Sequence, residues 1–299
     1  MHKQKRGKSF NWWLYLALVP MAATAIGAYL ASVLWSVGVS FTASKMFPNA
    51  RFVGLDQYYK LFASERWLLS IDNLVLFAFG SITTCMILGF LLAVFIDQKI
   101  RAESIFRSIF LYPYAMSFVV TGLVWQWIFN PAMGLQAAVR RMGFETFTMD
   151  WIVTQDKVMY CVILAAIWQA SGLVMAILLA GLRGVDEEIW KASRLDGIPT
   201  WRVYVSIVLP MIKGSVATAF ILQVIGAIKV YETVVAMTCG GPGLASEVPS
   251  KFILDYLFER ANIGMASAAS VVLLLTVIAL LVPYFYFRKH QASKQGGNS

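Results

Sequence analysis

Stretches without Asp, Glu, Lys or Arg set the rhythm of this chain. Residues 9–44, 73–96, 108–139, 158–182 and 261–287 form five such runs. Each reaches the roughly 20 residues that an α-helix needs to cross a bilayer. A sixth stretch, 209–238, is long enough but carries Lys213, Lys229 and Glu232. The pattern predicts an all-α, polytopic membrane protein with six transmembrane helices, over about residues 10–40, 73–96, 108–129, 158–182, 209–238 and 261–287. These make one membrane domain over 1–299, with a polar loop at 183–208.

That loop is the most distinctive segment. Asp186, Glu187, Glu188, Lys191, Arg194, Asp196 and Arg202 crowd a short span between two apolar runs. It reads as two short helices. The acids suit the positive N-terminal end of the first. Gly197 suits its exit, and Pro199 the first turn of the second.

Elsewhere the pattern marks turns and packing. The basic N-terminal tail and the long run after it read as a retained first helix rather than a leader, with Trp12, Trp13 and Tyr15 at headgroup level. FVGLDQYYKLF is predicted to be a short amphipathic piece at the outer surface. Pro113 kinks or starts the third span, and Asn130-Pro131 ends it. CGGPGLASEVPS has the Gly, Pro and Ser of an ordered external loop. Gly264 and Ala268, four apart, allow close helix contact.

Composition agrees. Hydrophobic residues are 59% and charged residues 14% of the chain, against about half and a quarter in a soluble domain. The net charge of +9 belongs to membrane topology rather than to nucleic acid. Fifteen of the 25 Lys and Arg lie in the N-terminal tail, the loops at 97–107 and 183–213, and the tail from Arg288. By the positive-inside rule these face the cytoplasm, as do both termini. Cys85, Cys161 and Cys239 have no metal or redox spacing, and Cys85 and Cys161 read as small core residues. His2 and His290 are the two histidines, both near the termini. No phosphate-binding GxxxxGK[ST], no GxSxG and no HExxH occurs, so no catalytic or metal site is expected.

The fifth span raises the functional question. Residues 214–228 are too few to cross a bilayer, so Lys229, followed by Glu232, is expected at or inside the membrane edge. Three residues apart, they are placed to pair on one helix face. Gln223, Gly226, Ala227 and Val230 fall on a neighbouring face at helical spacing. In the fourth span, Gln169 is costly at mid-membrane unless satisfied, and Trp168 is suited to stacking on a sugar ring. Gln126 and Trp127 of the third span repeat that argument more weakly.

Ala192, Ser193, Gly197, Ile207 and Leu209-Pro210, between the fourth and fifth spans, resemble the cytoplasmic EAA loop of permease subunits of binding-protein-dependent ABC importers. The run LDGIPTWRVYVSIVLP is similar to that loop in carbohydrate permeases of the maltose and alpha-glucoside type. Gly240, Gly241, Pro242 and Gly243 match a second feature, an external loop before the last helix that engages the binding protein. The resemblance implies a coupling role toward a separate ATPase for Glu187, Glu188, Trp190, Lys191, Ala192, Ser193, Asp196 and Gly197. Apolar Ile189, Trp190, Ala192 and Leu195 would be buried in the ATPase groove. Lys191 departs from the family, which has an acid there, and Glu187 or Glu188 is expected to substitute. The resemblance places Trp168, Gln169, Gln223, Gly226, Ala227, Lys229, Val230 and Glu232 on the sugar pathway.

It further implies a second permease subunit, expected to be a paralogue, two ATPase subunits that carry ATP and Mg, and a periplasmic or extracellular sugar-binding protein. The expected location is the bacterial inner membrane. No cofactor is expected on this chain and the chain itself is not expected to be an enzyme. Two other classes remain in play. An ion-coupled secondary transporter would use Lys229 and Glu232 and show internal repeats. An intramembrane enzyme would need a convergent catalytic pair.

Overall fold

The computed structural model describes residues 12–49, 51–98 and 100–295. Among them the regular secondary structure is helical, apart from one isolated antiparallel bridge between Thr42 and Phe52. The first long helix comprises α1 (Trp12–Ala23), a π-helical stretch (Thr24–Leu30) and α2 (Ala31–Ser40). The side chains of Trp12, Trp13, Tyr15 and His290, and all of His2, lie outside the described residues. Then come α3 (Asp56–Phe62), α4 (Glu65–Asp97), α5 (Glu103–Ala115), α6 (Phe118–Phe129), α7 (Leu135–Arg141) and α8 (Gln155–Leu182). The second half holds α9 (Glu187–Leu195), α10 (Thr200–Arg202), α11 (Leu209–Met211), α12 (Lys213–Ile228), α13 (Glu232–Thr238), α14 (Pro249–Leu254) and α15 (Ile263–Gln295).

Among the described residues, four helices are long and apolar enough to cross a membrane unaided: Leu18–Ser40, Glu65–Asp97, Gln155–Leu182 and Ile263–Leu280. The count becomes six if each of two sharply bent pairs forms one span. Here the sequence expectation needs correction, because 108–129 and 209–238 are not continuous helices.

The first bent pair is α5 and α6, which meet at 98°. Pro113 has no N–H for the Ile109 carbonyl. The helix ends at Ala115, and Met116 and Ser117 are extended before α6 begins. Pro113 thus lies inside α5, two residues before its end, and the kink expected there is a full break just after it. Asn130 ends α6 as expected, its Oδ1 accepting from the amides of Ala132 and Met133.

The second region breaks twice. The helical run Thr200–Met211 meets α12 at 78°. Pro210 lies just before this turn, and a π-helical stretch, Val203–Val208, precedes it. After Ile228 the chain leaves the helix again at Lys229, Val230 and Tyr231, and α13 starts at Glu232. Lys229 and Glu232 therefore do not share a helix face, and no ion pair joins them.

The core is built on α4 and α8, which pack along much of their length. Cys85, Ala93, Cys161, Ala165, Met175 and Leu178 are buried between them and their neighbours, so Cys85 and Cys161 do act as core residues. Gly264 is packed as expected: a Cβ there would lie 2.7 Å from the Thr42 carbonyl oxygen. The short α3 buries Leu61 and exposes Tyr59, which fits its amphipathic pattern. In contrast, Leu18, Met21, Ile26 and Tyr29 of the first helix are exposed, an arrangement suited to lipid or to another apolar surface.

Candidate functional site

Two regions collect the residues singled out in the sequence, and they lie at different levels of α4. One is at its C-terminal end. There Tyr204 donates to Asp97 Oδ2 at 2.7 Å, which ties the segment 183–208 to the last residue of α4. Arg183 pairs with Glu103 at 2.7 Å and so fixes the start of that segment against α5.

The segment has the predicted helix–break–helix form. Asp186 is the N-cap of α9, accepting from the Glu188 amide at 3.0 Å. That satisfies one of the N–H groups left open at a helix start. Glu187 and Glu188 occupy the first turn. Gly197 adopts φ +65°, a left-handed exit that costs an L residue about 1 kcal/mol or more. Pro199 precedes α10 as its N-cap rather than entering the first turn.

Burial divides the coupling candidates. Ile189 and Trp190 turn inward against the chain's own core, and Trp190 meets Tyr204 edge-on at 5.0 Å. Ser193 is buried and donates to the Trp190 carbonyl at 3.0 Å. Glu187, Glu188, Lys191, Ala192, Asp196 and Gly197 are exposed. Leu195 is 89% exposed and Trp201 is 65% exposed. Of the four apolar residues expected in the ATPase groove, Ile189 and Trp190 are half-buried against the fold, while Ala192 and Leu195 are exposed. Lys191 lies 3.8 Å from Glu187, an exposed pair of the kind that contributes little. A cavity of about 530 Å³ lies behind α9, with Asp97, Arg183, Trp190 and Tyr204 in its wall.

The second region is a cavity of about 370 Å³ at the two helix breaks. Tyr114 and Phe118 flank the first break, and Lys229, Val230, Tyr231 and Glu232 form the second. Gln169 and Ala170 of α8 and Gln223, Gly226 and Ala227 of α12 complete the part foreseen from sequence. Lys229 and Glu232 bring one charge of each sign to the wall.

Side chains from elsewhere satisfy the carbonyls freed by the breaks. Gln169 Nε2 donates to the Met116 carbonyl at 2.9 Å. Ser250 Oγ donates to the Val230 carbonyl. Neither bond is visible in local sequence pattern. Trp168 is not in the cavity wall. It faces the other way, edge-on to Trp125 at 5.9 Å. Gln126 and Trp127 are also outside the wall.

The GGPG turn lies at the other end of α4 from the 183–208 segment. Gly240 and Gly243 have φ of +83° and +63°, and the Gly241–Pro242 bond is cis. Ser246 holds the turn by donating to the Gly241 carbonyl at 2.8 Å. Beyond it the sequence reading missed an ion cluster. Arg66 Nε contacts both carboxylate oxygens of Glu247, at 2.8 and 2.9 Å, and Arg66 also pairs with Asp255. Lys251 reaches Asp255 at 2.7 Å. Asn73 donates to the carbonyls of Leu244 and Glu247. Isolated charges beside apolar runs were the one available signal.

Residues 85–294 match the family described as binding-protein-dependent transport system inner membrane component. The chain belongs to this family. The match takes in both helix breaks, the 183–208 segment and the GGPG turn. A probable ABC transporter permease of Pyrococcus horikoshii is 33% identical over 278 residues, covering 92% of this chain and 95% of the relative. The xylose/arabinose import permease XacH of Haloferax volcanii is 28% identical, over 93% of this chain and 87% of its own length. The trehalose/maltose permease MalF of Thermococcus litoralis is 25% identical, over 90% and 91%. A solved bacterial ABC transporter involved in import of the acidic polysaccharide alginate shares the fold, with a TM-score of 0.80, 18% identity, and coverage of 95% of this chain and 96% of that one. This permease is accordingly a multi-pass membrane component of a binding-protein-dependent transport system.

Proposed function

We propose that this permease carries a sugar across the bacterial inner membrane, with both termini cytoplasmic, in an importer driven by separate ATPase subunits. The observation that carries the reading is the 183–208 segment. It is capped, turned at Gly197 and anchored to α4 and α5, yet it leaves Leu195 and Trp201 outward. Large apolar side chains held outward on a polar, braced segment suit docking into a partner's groove. That partner is the ATPase, which binds ATP and Mg. Force enters through Glu188, Lys191, Ala192, Leu195 and Asp196, and passes through Trp190 and Tyr204 to the end of α4.

The cavity at the breaks is the substrate pathway. Its amides at Gln169 and Gln223 and its tyrosines at 114 and 231 offer the mixed hydrogen-bonding and stacking surface that a sugar requires. The names of the relatives above, for xylose/arabinose and trehalose/maltose, support a sugar as cargo. A soluble binding protein delivers it near the GGPG turn at Gly240–Gly243. A second permease subunit, a paralogue of this one, completes the pathway. ATP binding closes the ATPases, turns the cavity outward to receive the sugar, and hydrolysis returns it.

Vesicles containing both permease subunits and the ATPases, supplied with binding protein, should take up sugar only when ATP is enclosed with the ATPases. Uptake by this chain alone, driven by a proton or sodium gradient, would overturn the reading in favour of a secondary transporter.

A further inference from the structure

Gln169 is 2% exposed in the middle of α8. Half of its amide is used: Nε2 donates to the Met116 carbonyl at the 98° break between α5 and α6. The other half is not. Oε1 is buried and has no donor. A carbonyl oxygen shut away from water without a partner is disfavoured, so a state that supplies a donor is favoured relative to this one. Gln169 belongs to the wall of the cavity at the breaks, as do Tyr114 and Phe118 on either side of Met116. The open space that would furnish the donor is therefore that cavity.

The backbone around Gln169 is built for this contact. One turn along the same face of α8, a Cβ on Gly172 would lie 1.9 Å from the Phe110 carbonyl oxygen. Only glycine lets α5 approach so closely, and the approach carries the end of α5 onto Gln169. One amide thus spans the cavity and the bend.

We infer that Gln169 is a positioning residue that couples cavity occupancy to the α5–α6 bend. A hydroxyl of the occupant donates to Oε1 while Nε2 stays on the Met116 carbonyl. Each bond polarises the amide and strengthens the other. The occupant it selects is a hydrogen-bond donor such as a sugar hydroxyl, and a filled cavity fixes the bend more firmly than an empty one. This rests on the sugar-import reading above.

The test uses the complete transporter in vesicles, with xylose, arabinose, trehalose and maltose as probes. The readouts are sugar moved per ATP hydrolysed and hydrogen exchange of the amides at 116–121. In Gln169→Met, length is kept and both hydrogen-bonding groups are lost. Sugar per ATP should fall about fivefold, the equivalent of one lost hydrogen bond, and exchange at 116–121 should quicken. A purely structural defect lowers uptake and hydrolysis together and leaves their ratio unchanged. Gln169→Asn, which withdraws the amide by one methylene, should move both readouts the same way and serves if the Met variant does not assemble. Faster exchange with an unchanged ratio would reduce Gln169 to a structural pin and overturn the inference; so would no change in either. If the unsubstituted transporter moves none of the four sugars, the sugar-import reading itself fails.

Discussion

At the scale of single residues, burial sorts side chains that the sequence presents as alike. Trp190 and Leu195 both belong to the amphipathic α9, but Trp190 packs on Tyr204 while Leu195 is 89% exposed. Their substitutions should fail differently. Trp190→Ala empties a half-buried site and should cost about 2 kcal/mol, somewhat below a full core truncation. It would appear as a lower melting temperature of the purified permease in detergent. Leu195→Glu should leave melting unchanged and reduce co-purification of the ATPase; retention of the ATPase at the normal level would remove Leu195 from the docking face. Lys229 is a third case. It lies exposed on the cavity wall and, among the described residues, has no ion-pair partner within 4.0 Å. Lys229→Ala should lower uptake while the amount of assembled transporter stays constant, and unchanged uptake would exclude it from the pathway.

At the scale of elements, the helices were legible and their breaks much less so, Pro113 alone having pointed to a kink in the third span. Apolar runs announced α4, α8 and α15 because a bilayer demands length and apolarity, both of which are local quantities. The two ends of α9 were equally legible, since Asp186 and Gly197 act within a few residues of their own positions. The sharpness of the bends escaped for the opposite reason. A broken helix survives in an apolar setting only if its freed carbonyls find donors. Those donors are Gln169 for Met116 and Ser250 for Val230, contributed by separate helices. Hydropathy over 108–129 therefore looks continuous, and over 209–238 only Lys213, Lys229 and Glu232 interrupt it. The cavity followed the same division: Gln169, Gln223 and Lys229 were foreseen, while Tyr114, Phe118 and Tyr231 depend on where the bends fall. Gly197 provides the element-scale prediction. A Cβ there meets nothing within 4 Å, so its substitution tests backbone conformation alone. Gly197→Ala should cost about 1 kcal/mol in the geometry of the turn. It should weaken ATPase binding several-fold without unfolding the permease, as titration of the ATPase onto immobilised permease would show.

At the scale of the whole molecule, one helix joins the two ends. The C-terminus of α4 takes the Tyr204 hydrogen bond at Asp97, and its first turn holds Arg66 against Glu247 and Asp255. A displacement of the 183–208 segment along α4 therefore reaches the loop that follows the GGPG turn. The Arg66 end is costly to disturb. Glu247 is 1% exposed and Asp255 is 8% exposed; without the guanidinium, Glu247 would be a buried charge lacking compensation, and Asp255 would keep Lys251 alone. Arg66→Met should destabilise the permease by about 3–5 kcal/mol, the usual result of removing one partner from a buried pair. Because that loss reflects a stranded carboxylate rather than the strength of the ion pair, neutralising Glu247 should recover most of it. The double variant Arg66→Met, Glu247→Gln, which keeps the Lys251–Asp255 pair, should melt within a few degrees of the unsubstituted protein and still assemble with the ATPase. Its transport separates rigidity from charge. If the Arg66 ion pairs are the link between the two ends of α4, the double variant hydrolyses ATP at the normal rate but moves less sugar per ATP. Normal sugar per ATP would mean that packing, through Trp67 against Phe252 at 5.1 Å, carries the link instead.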